Sequence, residues 1–303
     1  MPLKFVWLIL PLIGIPLLLS TFAKSQIQTK VISPLVENID IPFMDSGIKQ
    51  IAQEELGKEN NYAVVVKNLR SGGLYAQNEN ETFDSASLYK LWVMAVAFQK
   101  IKDGSLNENE VLSLPVSYLN DALSTTTPTP TLEGEIKPTG APGESEEISM
   151  RTDIAIEKMI TVSDNYAALL VASRSGTASI VNFIKGYGLK NSNFRQPPQT
   201  TAGDVALFFE KLYKKEVVDS EFSERMIDIL KRQSLNDRIP KYLPESVAVA
   251  HKTGEIGEFK HDAGIVFGTK DDYIIVVLSK TKDPTIAAEK IAKFSEKVFE
   301  YFN

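Results

Sequence analysis

The spacing of apolar positions changes character several times along the chain. Residues 5–23, FVWLILPLIGIPLLLSTFA, form an uncharged run behind Lys4. About 20 apolar residues span a bilayer core, so this segment reads as a membrane anchor. With Thr21-Phe22-Ala23 as a small-x-small cleavage site, it reads equally as a secretory signal. Residues 24–45 carry two prolines and no period, as a tether would. From Ser46 to Leu56 the spacing of Ile48, Ile51 and Ala52 predicts a helix. NYAVVVKNL (61–69), the turn Arg70-Ser71-Gly72-Gly73 and a run starting at Leu74 predict two strands. Ser87 to Lys102 is apolar nearly all round, which marks a helix enclosed by protein, and Gly104 ends it. Helical spacing recurs near 151–161, 165–175, 177–186, 202–214 and 221–232. VAVAHKTG (247–254), HDAGIVFG (261–268) and DYIIVVLS (272–279) then predict an antiparallel meander, and Thr285–Phe302 a last amphipathic helix.

Two strands early and three late imply one antiparallel sheet built from both chain ends. An all-helical lobe is inserted between them, with the cleft at their boundary. This is an α/β (α+β) organisation with a single large domain over 46–303. Residues 124–148, rich in Thr, Pro, Gly and Glu, predict an exposed loop insertion. Either reading of the N-terminus exports the rest of the chain, anchored on the outer membrane face or released to the periplasm or medium.

Composition narrows the chemistry. Of 303 residues, 43% are hydrophobic and 24% charged, as in globular proteins. The net charge of −6 argues against a nucleic-acid partner. The absence of cysteine excludes thiolate nucleophiles and Cys-bound zinc, and His251 and His261 do not form a helical metal pair. No metal and no cofactor is expected.

Three Ser-x-x-Lys pairs occur: Ser46/Lys49, Ser87/Lys90 and Ser279/Lys282. Composition alone supplies about one such pair per chain, so context must choose. The first begins a surface helix and the third ends a strand. Only Ser87 opens a buried helix. There its hydroxyl faces the positive end of the helix dipole, and its backbone N–H can donate to an oxyanion. Lys90, one turn on, would be desolvated and able to act as a base. Ser163-Asp164-Asn165 falls at a break between predicted helices, and Lys252-Thr253-Gly254 ends a predicted strand. Each tripeptide has a chance expectation on the order of 0.05 per chain.

SLYK, SDN and KTG, in this order, are the three motifs of the penicillin-recognising serine enzymes. Over roughly 46–303 the chain resembles the class A β-lactamase family, which implies a β-lactamase/transpeptidase-like fold. The resemblance implies that Ser87 attacks the amide carbonyl, Lys90 takes its proton and Ser163 protonates the departing nitrogen. Asn165 would bind the substrate amide and hold Lys90. Asp164 would be a buried structural carboxylate. Lys252 and Thr253 would meet the substrate carboxylate, and the Glu255 backbone N–H would be the second oxyanion donor. Arg238 is a candidate additional cation, with Lys260 and His261 as rivals and a solvated surface arginine as the alternative. The implied partners are a small β-lactam or a D-Ala-terminated cell-wall peptide, with the N-terminus as a membrane contact.

One expected part is missing. Class A β-lactamases carry an omega loop whose glutamate activates the deacylating water. Within NFRQPPQTTAGD (193–204), the resemblance implies that Phe194–Thr201 is all that remains of it, with proline where the glutamate would fall. Asp204 reads as an N-terminal charge on the following helix, with Thr201 as its cap. Acylation is therefore expected to outrun hydrolysis, unless a glutamate among Glu133, Glu135, Glu144, Glu146 and Glu147 supplies the base. The competing outcomes are a D-alanyl-D-alanine peptidase or penicillin-binding protein, or a sensor that stays acylated.

Overall fold

The computed structural model describes residues 45–57, 61–124 and 146–303. The leader at 5–23, most of the tether at 24–45 and the loop insertion at 124–148, apart from its two ends, lie outside the described residues. Helix α1 (Ser46–Glu55) leads to strands β1 (Tyr62–Asn68) and β2 (Leu74–Gln77). The middle of the chain follows: β3 (Phe83–Asp84), α2 (Lys90–Lys102), β4 (Val111–Pro115), α3 (Val116–Ser124), β5 (Glu147–Arg151), α4 (Thr152–Thr161), α5 (Asn165–Ser175), α6 (Thr177–Gly186), β6 (Gln199–Thr200), α7 (Ala202–Tyr213) and α8 (Ser220–Lys231). Strands β7 (Ala248–Ile256), β8 (Phe259–Phe267) and β9 (Tyr273–Ser279) and helix α9 (Pro284–Phe302) complete it.

Five strands form one antiparallel sheet in the order β2-β1-β9-β8-β7, which brings the early and late parts of this domain together at the β1–β9 pair. Antiparallel strands often alternate buried and wet positions, yet β9 is buried at all seven. Both faces are covered, and the period of two divides the side chains. Ala63, Val65, Ile274, Val276 and Leu278 pack into the core shared with the inserted lobe. Tyr62, Val64, Val66, Tyr273, Ile275 and Val277 pack with residues of α1 and α9, including Ile48, Ile291 and Phe294. Fully burying a Val or Ile stabilises by about 1.5–3 kcal/mol, so both layers hold the sheet.

In the lobe, α2 is the central rod: Lys90 through Phe98 are all buried, as the unbroken apolar run predicts. The other lobe helices stand within a residue of their expected bounds. The lobe also contains a ribbon that the pattern does not reveal, with β4 pairing β5 antiparallel from Val111↔Arg151 to Pro115↔Glu147. A long insertion separates the two strands in sequence, so no hairpin turn signals the pairing. The short helix α3 between them was likewise not foreseen; its Asn120 Oδ1 accepts from the Tyr166 hydroxyl at 2.7 Å, tying α3 to α5.

Helix ends follow their caps. Asp283 accepts from the Thr285 and Ile286 backbone N–H groups, with Pro284 at the first helical position of α9. Thr201 caps α7 through the Asp204 N–H. Gly264, in the HDAG sequence, marks a close approach of backbones. A Cβ there would lie 2.4 Å from the Ala250 carbonyl oxygen and 2.6 Å from His251 Cβ. Gly264→Ala is expected to force β8 away from β7 and cost about 1–3 kcal/mol, as overpacking does. Chemical denaturation measures it, and an unchanged midpoint would show that the strands can part freely.

Candidate active site

Ser87 lies in a 3₁₀ turn, Ala86–Tyr89, that runs directly into α2 at Lys90. The expected helix start is thus a tighter turn. Three residues per turn place positions i and i+3 above one another, so Ser87 and Lys90 share a side. The turn is anchored from several directions. Ala86 adopts φ +45°, a strained value for a residue with a Cβ, and its N–H donates to Asp84 Oδ1 at 2.8 Å. The Ser85 N–H donates to the Pro198 carbonyl at 2.8 Å. β3 pairs β6 through Phe83↔Thr200 and Asp84↔Gln199.

Lys90 is fully buried. Its Nζ donates to the Ser163 carbonyl (2.7 Å), to Ser163 Oγ (3.2 Å) and to Asn165 Oδ1 (2.8 Å). Burial pulls its pKa from the ordinary 10.5 to about 7, with partial opposition from the nearby Asp164 charge. A surface lysine beside a simple helix cap is therefore not what the site contains. Ser163 sits at the break between α4 and α5 with φ +56°. Asp164 caps α5 by accepting from the Ala167 N–H at 2.8 Å, which agrees with a structural role, but it is half-buried rather than buried. Asn165 is exposed at the cleft.

From the other side, β7 brings Lys252, also fully buried. Its Nζ donates to Ser163 Oγ at 3.0 Å and to the Thr253 carbonyl at 2.9 Å. Burial lowers its pKa well below the usual lysine value, and the neighbouring Lys90 charge lowers it further. Gly254 lets β7 approach the nucleophile turn. A Cβ there would stand 3.2 Å from the Ser85 carbonyl oxygen and 3.3 Å from Ala86 Cβ. Hydrogen bonds thus join Lys90, Ser163, Asn165 and Lys252 where the lobe meets the edge of the sheet, with Ser87 one turn before Lys90 and Thr253 beside Lys252.

The candidate cations separate. Arg238 is only 2% exposed, which overturns the solvated alternative. Its Nη2 donates to Glu255 Oε2 at 2.7 Å and its Nη1 to the His261 carbonyl at 3.3 Å. Lys260 is buried and meets the same Glu255 oxygen at 2.5 Å. His261 is no cation. Its Nδ1 accepts from the Ser279 N–H (3.0 Å), so Nε2 carries the proton and donates to the Asp84 carbonyl (2.8 Å). Burial lowers its pKa to about 4. The engagement of the Glu255 side chain was missed in the sequence, where that residue stood out only for its backbone N–H.

In the 193–204 segment, Asn193 and Gln199 form an antiparallel bridge and Phe194 packs on Tyr89, ring centroids 5.8 Å apart. Asp204 is more than a helix-end charge. It is buried, and Oδ2 accepts from the Asn191 N–H and Ser192 Oγ, both at 2.8 Å. Among the candidate glutamates, Glu147 pairs with Ser113 in the lobe ribbon and Glu146 precedes it, while Glu133, Glu135 and Glu144 lie outside the described residues. Among the described residues no group of three metal-ligating side chains occurs.

A model of the β-lactamase enzyme family matches residues 46–302, and the chain belongs to that family. Its fold is that of PBP-A, with TM-score 0.71 at 24% identity over 86% of this chain and 98% of that chain. A PBP-A mutant, solved as an acyl-enzyme complex with penicillin G, matches at 25% identity and TM-score 0.70 over 85% and 96% of the two chains. A β-lactamase from Sphaerobacter thermophilus aligns with TM-score 0.71 at 17% identity, over 85% and 97%. No curated protein sequence matches significantly.

The folded protein resists protonating Lys90, whereas the unfolded chain holds that proton up to about pH 10.5. Between pH 7 and 10 the unfolded state binds more protons, so stability rises with pH through this group; below 7 both states are protonated and its contribution is flat. Lys90→Met should therefore flatten the rise in unfolding free energy from pH 7 to 10, by up to about 1.4 kcal/mol per pH unit. Parallel pH dependences in denaturant titrations would place the titration elsewhere.

Proposed function

We propose that this β-lactamase-family protein is a serine hydrolase that forms an acyl-enzyme at Ser87 with β-lactams and hydrolyses it slowly. The observation that carries the reading is the Ser163 hydroxyl held between two buried amines, 3.2 Å from Lys90 and 3.0 Å from Lys252. Such an arrangement can move a proton from a nucleophile to a leaving group. Neutral Lys90 takes the Ser87 proton as Oγ bonds to the carbonyl carbon. The developing oxyanion accepts from the Ser87 and Glu255 backbone N–H groups. As the C–N bond breaks, Ser163 gives its proton to the nitrogen and is reprotonated from Lys90. Asn165 holds the substrate amide, and Lys252, Thr253 and Arg238 attract the substrate carboxylate. The chain acts on the outer side of a membrane, exported by its apolar leader.

Deacylation of a β-lactam adduct needs water activated beside a leaving group that cannot diffuse away. The 193–204 segment offers no free carboxylate, since Asp204 is buried and bonded. This favours a second reading, a D-alanyl-D-alanine peptidase or penicillin-binding protein, whose natural leaving group departs. The acyl-trapped sensor is the limit of the same behaviour.

A mass-spectrometric time course with benzylpenicillin is expected to show an adduct that persists on the wild type and is absent from Ser87→Ala. The rate of adduct formation should rise with pH through about 7, as Lys90 loses its proton. Rapid accumulation of penicilloate would overturn slow turnover, and an adduct on Ser87→Ala would overturn the nucleophile.

A further inference from the structure

The first side chain after Lys252-Thr253-Gly254 on β7 is a carboxylate, and it pairs with two buried cations, one of them Arg238. Glu255 Oε2 lies 2.7 Å from Arg238 Nη2 and 2.5 Å from Lys260 Nζ. The cations are 2% and 8% exposed, whereas the Glu255 side chain is 53% exposed. Asp237, half-exposed, approaches both cations at 3.4 Å. The Asp237 contact to Arg238 is at the buried Nε and is an ion pair without a hydrogen bond. Two fixed buried cations thus hold one solvent-facing carboxylate, and two acidic side chains cancel their charge.

Resting on the acyl-enzyme reading above, we infer that Glu255 is a specificity-determining residue, an internal competitor that occupies the carboxylate-recognising cations of the free protein. A substrate carboxylate engages Arg238 only by displacing Glu255. A substrate whose acid group is masked as an ester or amide does not compete with it. Glu255 therefore weakens the advantage that a free carboxylate at this position has over acyl donors that are uncharged there. The geometry allows the exchange. Glu255 reaches into water, so its carboxylate is resolvated as it swings out, and the incoming carboxylate replaces it on Arg238 and Lys260, which burial fixes in the wall. Glu255→Gln keeps the backbone N–H and the side-chain shape, removes the competing charge and leaves Asp237 to partner both cations.

The test compares acylation of the wild type and Glu255→Gln by benzylpenicillin and by its methyl ester, at several salt concentrations. Glu255→Gln should speed acylation by the acid about five- to tenfold, through tighter half-saturation rather than a faster limiting rate. The gain should shrink with salt, and the ester should change less than twofold. Slower acylation by the acid would overturn the proposal, because Glu255 would then be needed to position Arg238; so would an equal gain for acid and ester. If neither compound acylates the wild type, the acyl-enzyme reading has failed rather than this one. Titration of the Arg238 guanidinium NMR signal with acetate then decides it, with tighter binding in Glu255→Gln expected and equal binding overturning it.

Discussion

Two buried lysine amines share one serine hydroxyl, and most of the site follows from that. Removing an ammonium from water is costly, and two facing one another cost more. The fold meets this with polar atoms from both of its halves. The lobe supplies the Ser163 carbonyl and hydroxyl and Asn165 Oδ1, and the sheet supplies the Thr253 carbonyl. Ser163 must accept left-handed backbone torsion to present both oxygens, a conformation that persists only where its surroundings enforce it. Lobe and sheet are therefore joined by the same hydrogen bonds that poise the amines, so loosening one would alter the other.

The segment before α7 is scaffold. It lends the Pro198 carbonyl to the nucleophile turn, a two-residue pairing to β3 and an aromatic contact to Tyr89. Its Asp204 holds the backbone of Asn191 and the hydroxyl of Ser192. A carboxylate committed to two donors in a buried setting has little to offer a water molecule.

Much of this was legible in the sequence where one physical signal dominated. The unbroken apolar run of α2 and the β-branched strands each carry one dominant signal, and the order of the elements gives the sheet-plus-lobe arrangement. The β4–β5 ribbon was not legible because its strands are half-polar and lie on either side of a long insertion. The role of Asp204 and the fate of Arg238 depend on partners distant in sequence, Asn191 and Ser192 for one and Glu255 and His261 for the other. Glycines 254 and 264 could be quoted as motif letters, but only the approach of neighbouring backbones shows why a side chain cannot stand there.

β7 is the outermost strand of the sheet, and such a strand carries backbone groups without a ladder partner. On this chain the Ser87 turn and α8 pack against it. The cleft is thus also a guard rail that keeps a foreign strand from extending the sheet. An enlarged cleft, however it arose, would uncover a nine-residue edge ending in exposed Ile256. Tolerance of bulkier ligands and resistance to self-association therefore pull in opposite directions, and the narrowness at Gly254 is where the fold has settled between them.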